Sequence, residues 1–354
     1  MSTLKTTNLQ HASAASPAIV LASDGTATAQ LSSLNGGALS GARNRIINGD
    51  MRIDQRNAGA AITPTSAVYS VDRWYAGVSQ SSKYSIQQST TAPTGFTNSL
   101  LVTSLSSYSP PPSDFFTLIQ FVEGVNASDL AWGTASAQAV TLSFRVRSSL
   151  TGTFVAAIRS GSDDAAYPAT YTINTANTWE TKTITIPGPT TGAFGTGSGR
   201  AFGVWFSLGI GSAFNGTANT WGAGNALSVS GATSVVGTNG ATFYITGVQL
   251  EAGSVATPFE RRSYGQELAL CQRYYQTGNY SNTVYGVATT TNTAPISFKT
   301  TMRATPTMTA TFSYVNASSG GAAALGSDAA TVTATIGAAA NSLVSGTWTA
   351  AIEL

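Results

Sequence analysis

Only 9% of the 354 residues are charged, against about a quarter in an ordinary soluble domain, and the net charge of +2 comes with no basic run beyond Arg261-Arg262, which argues against a nucleic-acid footprint. A single cysteine, Cys271, and a single histidine, His11, exclude an intramolecular disulfide and leave too few soft ligands for structural zinc, so neither metal nor cofactor is expected. No run of about 18 apolar residues occurs, so neither a signal peptide nor membrane insertion is expected.

Residues 1–43 read as an arm. Ala18 to Ala22, a turn at Ser23-Asp24-Gly25 and the alternating Thr26 to Leu31 fit a small hairpin. A lone hairpin is marginal in water, so the arm is expected to dock on another protein or on sister chains; the bland alternative is a flexible tail. From 44 to 262 the pattern is β throughout, with period-two or continuous apolar runs broken by Gly, Pro, Asn and Ser clusters. Candidate strands are Val140 to Val146, Phe154 to Ile158, Tyr167 to Ile173, Thr181 to Ile186, Phe202 to Leu208 and Phe243 to Leu250. Short strands at this spacing predict an all-β sandwich or barrel. Residues 263–278 form a joint with one short helix over Gln266 to Gln276, where Leu268, Cys271 and Tyr275 share a face beside Leu270 and Tyr274. Residues 279–354 form a β-rich tip. Gly320 to Ala340 is nearly all Ala, Gly, Ser and Thr, a composition that builds independent cores poorly, so a shared, trimeric β-core is expected.

Two motifs bracket the sandwich. Asn44-Arg-Ile-Ile-Asn-Gly-Asp-Met-Arg-Ile-Asp-Gln-Arg56 with Val71-Asp-Arg-Trp-Tyr75 opens it, and Phe243-Tyr-Ile-Thr-Gly-Val-Gln-Leu-Glu-Ala-Gly253 running on to Pro258-Phe-Glu-Arg-Arg262 closes it. Both resemble motifs of phage and prophage tail-fibre and virion structural proteins, as does Met302-Arg-Ala-Thr-Pro-Thr307 in the tip. The order of features, with Asn177-Thr-Trp179 before Thr183-Ile-Thr-Ile186, resembles jelly-roll carbohydrate-binding modules. The resemblance implies a homotrimeric virion protein assembled in the host cytoplasm. Its arm (residues 1–43) would join other tail or baseplate proteins, and it would attach the particle to a host-surface glycan. A capsid decoration or head-fibre protein is the structural alternative, and a glycan-degrading tailspike the third.

The residues themselves offer little chemistry. His11 sits among small polar residues, and Cys271 falls on an apolar helix face, where a thiol is a buried small hydrophobe rather than a nucleophile. Carboxylates are the only plausible catalysts, and Asp114, Glu123, Asp129, Asp163 and Asp164 could in principle supply a glycosidase pair, but no enzyme is expected. Sugar binding has better candidates: Tyr167, Tyr171, Trp179 and Trp221 fall near strand ends, where an aromatic face beside hydroxyl donors suits a sugar ring. Each could instead cover a sandwich edge or a subunit interface. Tyr280, Tyr285 and Tyr314 could line a tip surface, whereas Trp74 and Trp205 read as core. Arg52, Asp72, Arg73, Glu251, Arg261 and Arg262 gather opposite charges at the two bracketing motifs and are expected to pair where the first and last strands meet.

Overall fold

The computed structural model describes residues 8–9, 19–21, 23, 27–29 and 43–354. In the arm, β1 (Asn8–Leu9), β2 (Ile19–Leu21) and β3 (Ala27–Ala29) pair antiparallel, with Val20 opposite Thr28. His11, the Asp24-Gly25 turn and residues 30–42 lie outside the described residues.

Twelve strands then build a two-layer jelly-roll sandwich: β4 (Val68–Tyr69), β5 (Tyr75–Val78), β6 (Tyr84–Ser89), β7 (Ser99–Ser104), β8 (Phe115–Glu123), β9 (Val140–Ser148), β10 (Gly152–Ser160), β11 (Ala165–Ile173), β12 (Glu180–Ile186), β13 (Arg200–Ile210), β14 (Gly222–Ala223) and β15 (Thr242–Ala252). One sheet runs β14-β11-β10-β13-β8-β5-β4 and the other β12-β9-β15-β7-β6. All their pairings are antiparallel. Between them lies one core in which Trp74, Phe116, Phe144, Phe154, Phe202, Phe206 and Phe243 are fully buried. Each such side chain contributes about 1.5–3 kcal/mol by leaving water. β13 is a continuous apolar run because both its faces are covered. Phe202, Val204 and Phe206 face the core, and Trp205 lies on the far side under the chain that includes Phe214, Leu227 and Val229. β12, an edge strand, alternates cleanly: Thr181, Thr183 and Thr185 point to solvent.

The bracketing motifs meet through backbone and amide groups. Asn44 donates its Nδ2 to the Val248 carbonyl at 3.0 Å and accepts from the N–H of Leu250 at 3.0 Å, tying the opening segment to β15. A side chain at Gly49 would place Cβ 2.2 Å from the Val248 oxygen, so only glycine permits this crossing. Of the expected charge pairs, Arg52 meets Asp50 at 2.5 Å and Arg262 reaches Glu260 and Glu267. The others differ. Asp72 takes both amide donors of Gln55. Glu251 stays in its own turn, accepting from Gln249 and Thr257. Arg73 pairs with Glu353, almost three hundred residues away, and stacks 3.6 Å from the Tyr274 ring centroid. Arg261 turns away from Arg262, as neighbours in extended chain do, and lies over Phe96 and Phe259 instead.

The helix α1 (Tyr264–Gln272) starts at a capping box between Ser263 and Gln266. It stops four residues earlier than the apolar spacing predicts, because Tyr275 already pairs with Ala351. Its Cys271 packs with Ile47, Ile53 and Tyr274, joining the helix to the opening motif. The tip is a second sandwich, of β16 (Tyr275–Gly286), β17 (Thr291–Ser297), β18 (Thr307–Val315), β19 (Ala317–Ala324), β20 (Ala329–Ile336) and β21 (Ala340–Ala351), in sheets β16-β21-β18 and β17-β20-β19. Despite that composition, one chain supplies a core here, from Ile296, Met302, Val332, Val344 and Trp348 packed among alanines. Tyr280 and Tyr314 rest against it, and Tyr285 alone of the three tip tyrosines stays open, at 71% exposure.

Candidate functional site

The outer face of the five-stranded sheet is built by simple alternation. In β9, Leu142, Phe144 and Val146 enter the core, so Ser143, Arg145 and Arg147 face out, about 6.6 Å apart along the strand. Register places Ser143 beside Thr183 and Gln249, Arg145 beside Thr181 and Thr246, and Arg147 beside Tyr244. Trp179, just before β12, meets Tyr244 edge-on, with centroids 6.0 Å apart, and the Arg147 guanidinium lies 4.9 Å over the same tyrosine ring. One end of the stripe is therefore aromatic.

The other end is aromatic as well. Phe96, from the loop between β6 and β7, and Phe259, from the segment after β15, meet at 5.3 Å. Arg261 lies 4.8 Å from the Phe96 centroid and 5.7 Å from that of Phe259, and donates to the Gly95 carbonyl. These rings wall a cleft of about 330 Å³ whose lining includes Ser143, Arg145, Thr181, Thr183 and Arg261. The register of β15 against β9 shifts between Thr246 and Gln249, where Gly247 lines the cleft. Gly247 there has φ +61°, and a Cβ would come within 2.7 Å of the Phe96 ring, so glycine sets how close that wall stands to the sheet.

A second cleft, of about 430 Å³, opens at one end of the sandwich beside Trp221, Asp164, Thr190 and Thr191. Hydrogen bonds from Ser160 and Ser162 hold the Asp164 carboxyl below the usual carboxylate range. Trp221 is largely engaged: its Nε1 donates to the Pro187 carbonyl at 2.6 Å, and Trp132, Tyr167 and Phe194 surround it at 5.4–6.0 Å. A groove of about 710 Å³ beside α1 carries no aromatic lining; Arg262 and Arg273 there are held in ion pairs, and Arg261 borders both this groove and the aromatic-walled cleft.

The four aromatic candidates thus separate. Trp179 stands at the stripe and Trp221 at the end cleft, with Tyr167, only 5% exposed, packed behind it. Tyr171 offers no face to a ligand: it is buried against Phe144 and Phe154, with its hydroxyl unpaired. Its place was readable, since Tyr167, Ala169, Tyr171 and Ile173 share one face of β11 and the last of these is apolar. Period two in β9 and β12 would likewise have marked Arg145, Arg147, Thr181 and Thr183 as one surface. Phe96, Tyr244 and Phe259 carried no comparable signal.

The carboxylates do not converge. Glu123 binds Arg273 and Tyr274, Asp129 binds Arg45, Asp114 takes Tyr108 and Gln80, and Asp163 takes Arg159 and Arg200. Among the described residues no group of three or more His, Cys, Asp or Glu side chains is placed to hold a metal ion, and no helix is long and apolar enough to cross a membrane.

No protein-family model and no curated protein matches the chain. Solved structures give likenesses of shape. The enzymatically active domain of tailspike protein 4 from bacteriophage CBA120 is 11% identical over 59% of this chain, with TM-score 0.31, and this chain spans 21% of that one. A family 11 carbohydrate-binding module from Clostridium thermocellum is 11% identical over 58% of this chain and all of its own, with TM-score 0.26. A xylan-binding domain from Paenibacillus barcinonensis is 11% identical over 57% of this chain and 99% of its own, with TM-score 0.25. Likenesses of this size carry no functional assignment.

Proposed function

We propose that the central sandwich binds a glycan on the outer face of its five-stranded sheet. The observation that supports this most directly is the stripe itself: Trp179 and Tyr244 at one end, Phe96 and Phe259 at the other, and Ser143, Arg145, Thr181 and Thr183 between them. Aromatic faces take the C–H faces of sugar rings, and hydroxyls and guanidinium groups take their oxygens. A shallow site of this kind binds weakly, so avidity has to come from copies held together.

The biological setting rests on the sequence motifs. In that reading the chain is a virion component of the tail-fibre kind, homotrimeric, joined to other virion proteins through residues 1–43 and presenting sandwich and tip to a host-surface glycan. A capsid-decoration role is the alternative, and a reconstruction of the intact particle separates them by where the chain lies. No catalytic step is assigned. Affinity electrophoresis of the full chain through gels containing bacterial envelope polysaccharide tests the binding: retardation that disappears with Phe259→Ala supports it, and unretarded migration in every polysaccharide overturns it.

A further inference from the structure

The stripe carries more positive charge than a neutral sugar needs. We infer that its ligand is an acidic glycan, one bearing a carboxylate or another anionic group on the ring, and that Arg145 and Arg261 hold that group; this rests on the glycan-binding reading above.

Nine Lys or Arg side chains form ion pairs within 4.0 Å among the described residues, Arg45, Arg73, Arg262 and Arg273 among them. Seven described Lys or Arg side chains form none there, Arg43, Lys83, Lys299 and Arg303 at separate places and Arg145, Arg147 and Arg261 together on this stripe, although the chain as a whole has nearly equal numbers of basic and acidic residues. The contacts of these last three are with neutral groups: Arg145 with the Thr181 hydroxyl, Arg147 with the Asn177 carbonyl at 2.8 Å, and Arg261 with the Gly95 carbonyl. Each of these contacts leaves most guanidinium donors free, and a guanidinium presents five in a fixed fork. The cleft lining contains no carboxylate. The acid nearest the stripe along β12, Glu180, is already held by Lys182 and by the backbone N–H groups of Asn174 and Thr175.

Aromatic stacking on Phe96 and Phe259 also argues for order in the cations. Arg261 lies across both rings, so its guanidinium plane is fixed before a ligand arrives. Arg145 projects from the middle of a paired strand. Two cations held by scaffold and stacking, with hydroxyls of Ser143, Thr181 and Thr183 beside them, match a ring that offers both an anion and hydroxyl groups. A neutral glycan would leave those charges unmatched.

The test is a glycan array with uronate-, sialate- and phosphate-bearing saccharides beside neutral ones, probed with the full chain, then titration of the best acidic saccharide and its methyl ester or desialylated counterpart. We expect binding confined to acidic saccharides, weakened by added salt and reduced at least about tenfold by Arg145→Gln or Arg261→Gln, with Arg145→Lys in between. Unchanged thermal unfolding of these variants removes misfolding as an explanation, and Phe96→Ala supplies an independent loss by stacking. Equal binding of neutral and acidic saccharides, or binding untouched by Arg145→Gln, overturns the inference and leaves the glycan reading intact. Tight binding of single-stranded DNA with no saccharide bound, or silence across the array, removes both.

Discussion

Substituting Glu353 with Ala should destabilise the sandwich more than any exposed substitution. The carboxylate is the partner of Arg73 and also of Arg56, at 2.5 Å. The Arg73 side chain is 1% exposed and Glu353 only 10%, so the Ala variant leaves a full positive charge in the interior with only the Phe121 carbonyl and the Tyr274 ring against it. Breaking a buried pair from one side costs about 3–5 kcal/mol. In a unit of this size each kcal/mol lowers the midpoint by about 2–4 °C, which puts the expected fall at roughly 6–20 °C. Differential scanning calorimetry measures it. Glu353→Gln, which keeps an acceptor but not the charge, should fall between, and the apolar double variant Arg73→Met with Glu353→Leu should recover most of the loss, since it leaves no charge uncompensated. A fall below about 2 °C for Glu353→Ala would refute the view that this ion pair locks the end of the chain to the opening motif.

Three further outcomes follow from particular residues. Tyr171→Phe removes a buried hydroxyl without a partner and should raise stability in urea by about 1 kcal/mol while leaving glycan binding unchanged, whereas a ligand role would show as lost binding. Gly247→Ala forces a left-handed backbone on a residue with a side chain and drives Cβ into Phe96; it should cost about 1–2 kcal/mol and displace the aromatic wall, so that affinity falls with stability. Asp72 is pushed up to about 6 by burial, with the Gln55 donors only partly opposing this, while in the unfolded chain it titrates near 4. The folded state therefore holds the extra proton between about pH 4 and 6, and stability from this group falls by about 3 kcal/mol as pH rises through that window. Urea titrations at pH 4, 5, 6 and 7 should show the decline in the parent chain and a flatter profile in Asp72→Asn.

The sandwich was legible because its strands are long and apolar and its outward residues polar: β9, β11, β12, β13 and β15 fall where the runs Val140 to Val146 through Phe243 to Leu250 place them. Asn44 and Gly49 in the opening motif explain themselves once β15 crosses them. The helix end was misjudged because Tyr275 satisfies helical spacing and strand pairing alike, and the partner that decides, Ala351, lies far along the chain. Glu353 was invisible for the same reason: an ion pair across this sequence separation leaves no local pattern. The alanine-rich tip is a different case. Small side chains let two three-stranded sheets approach closely enough for Trp348 and Met302 to fill the space, so one chain supplies a core that its composition did not suggest.

A crystal structure of the full chain with a bound acidic oligosaccharide tests the central claim most directly. The expected result is a sugar ring in the cleft against the wall formed by Phe96 and Phe259, with its anionic group on Arg145 and Arg261 and the glycan continuing toward Trp179 and Tyr244. Sugar seated instead beside Trp221 and Asp164, or on the tip, would contradict it.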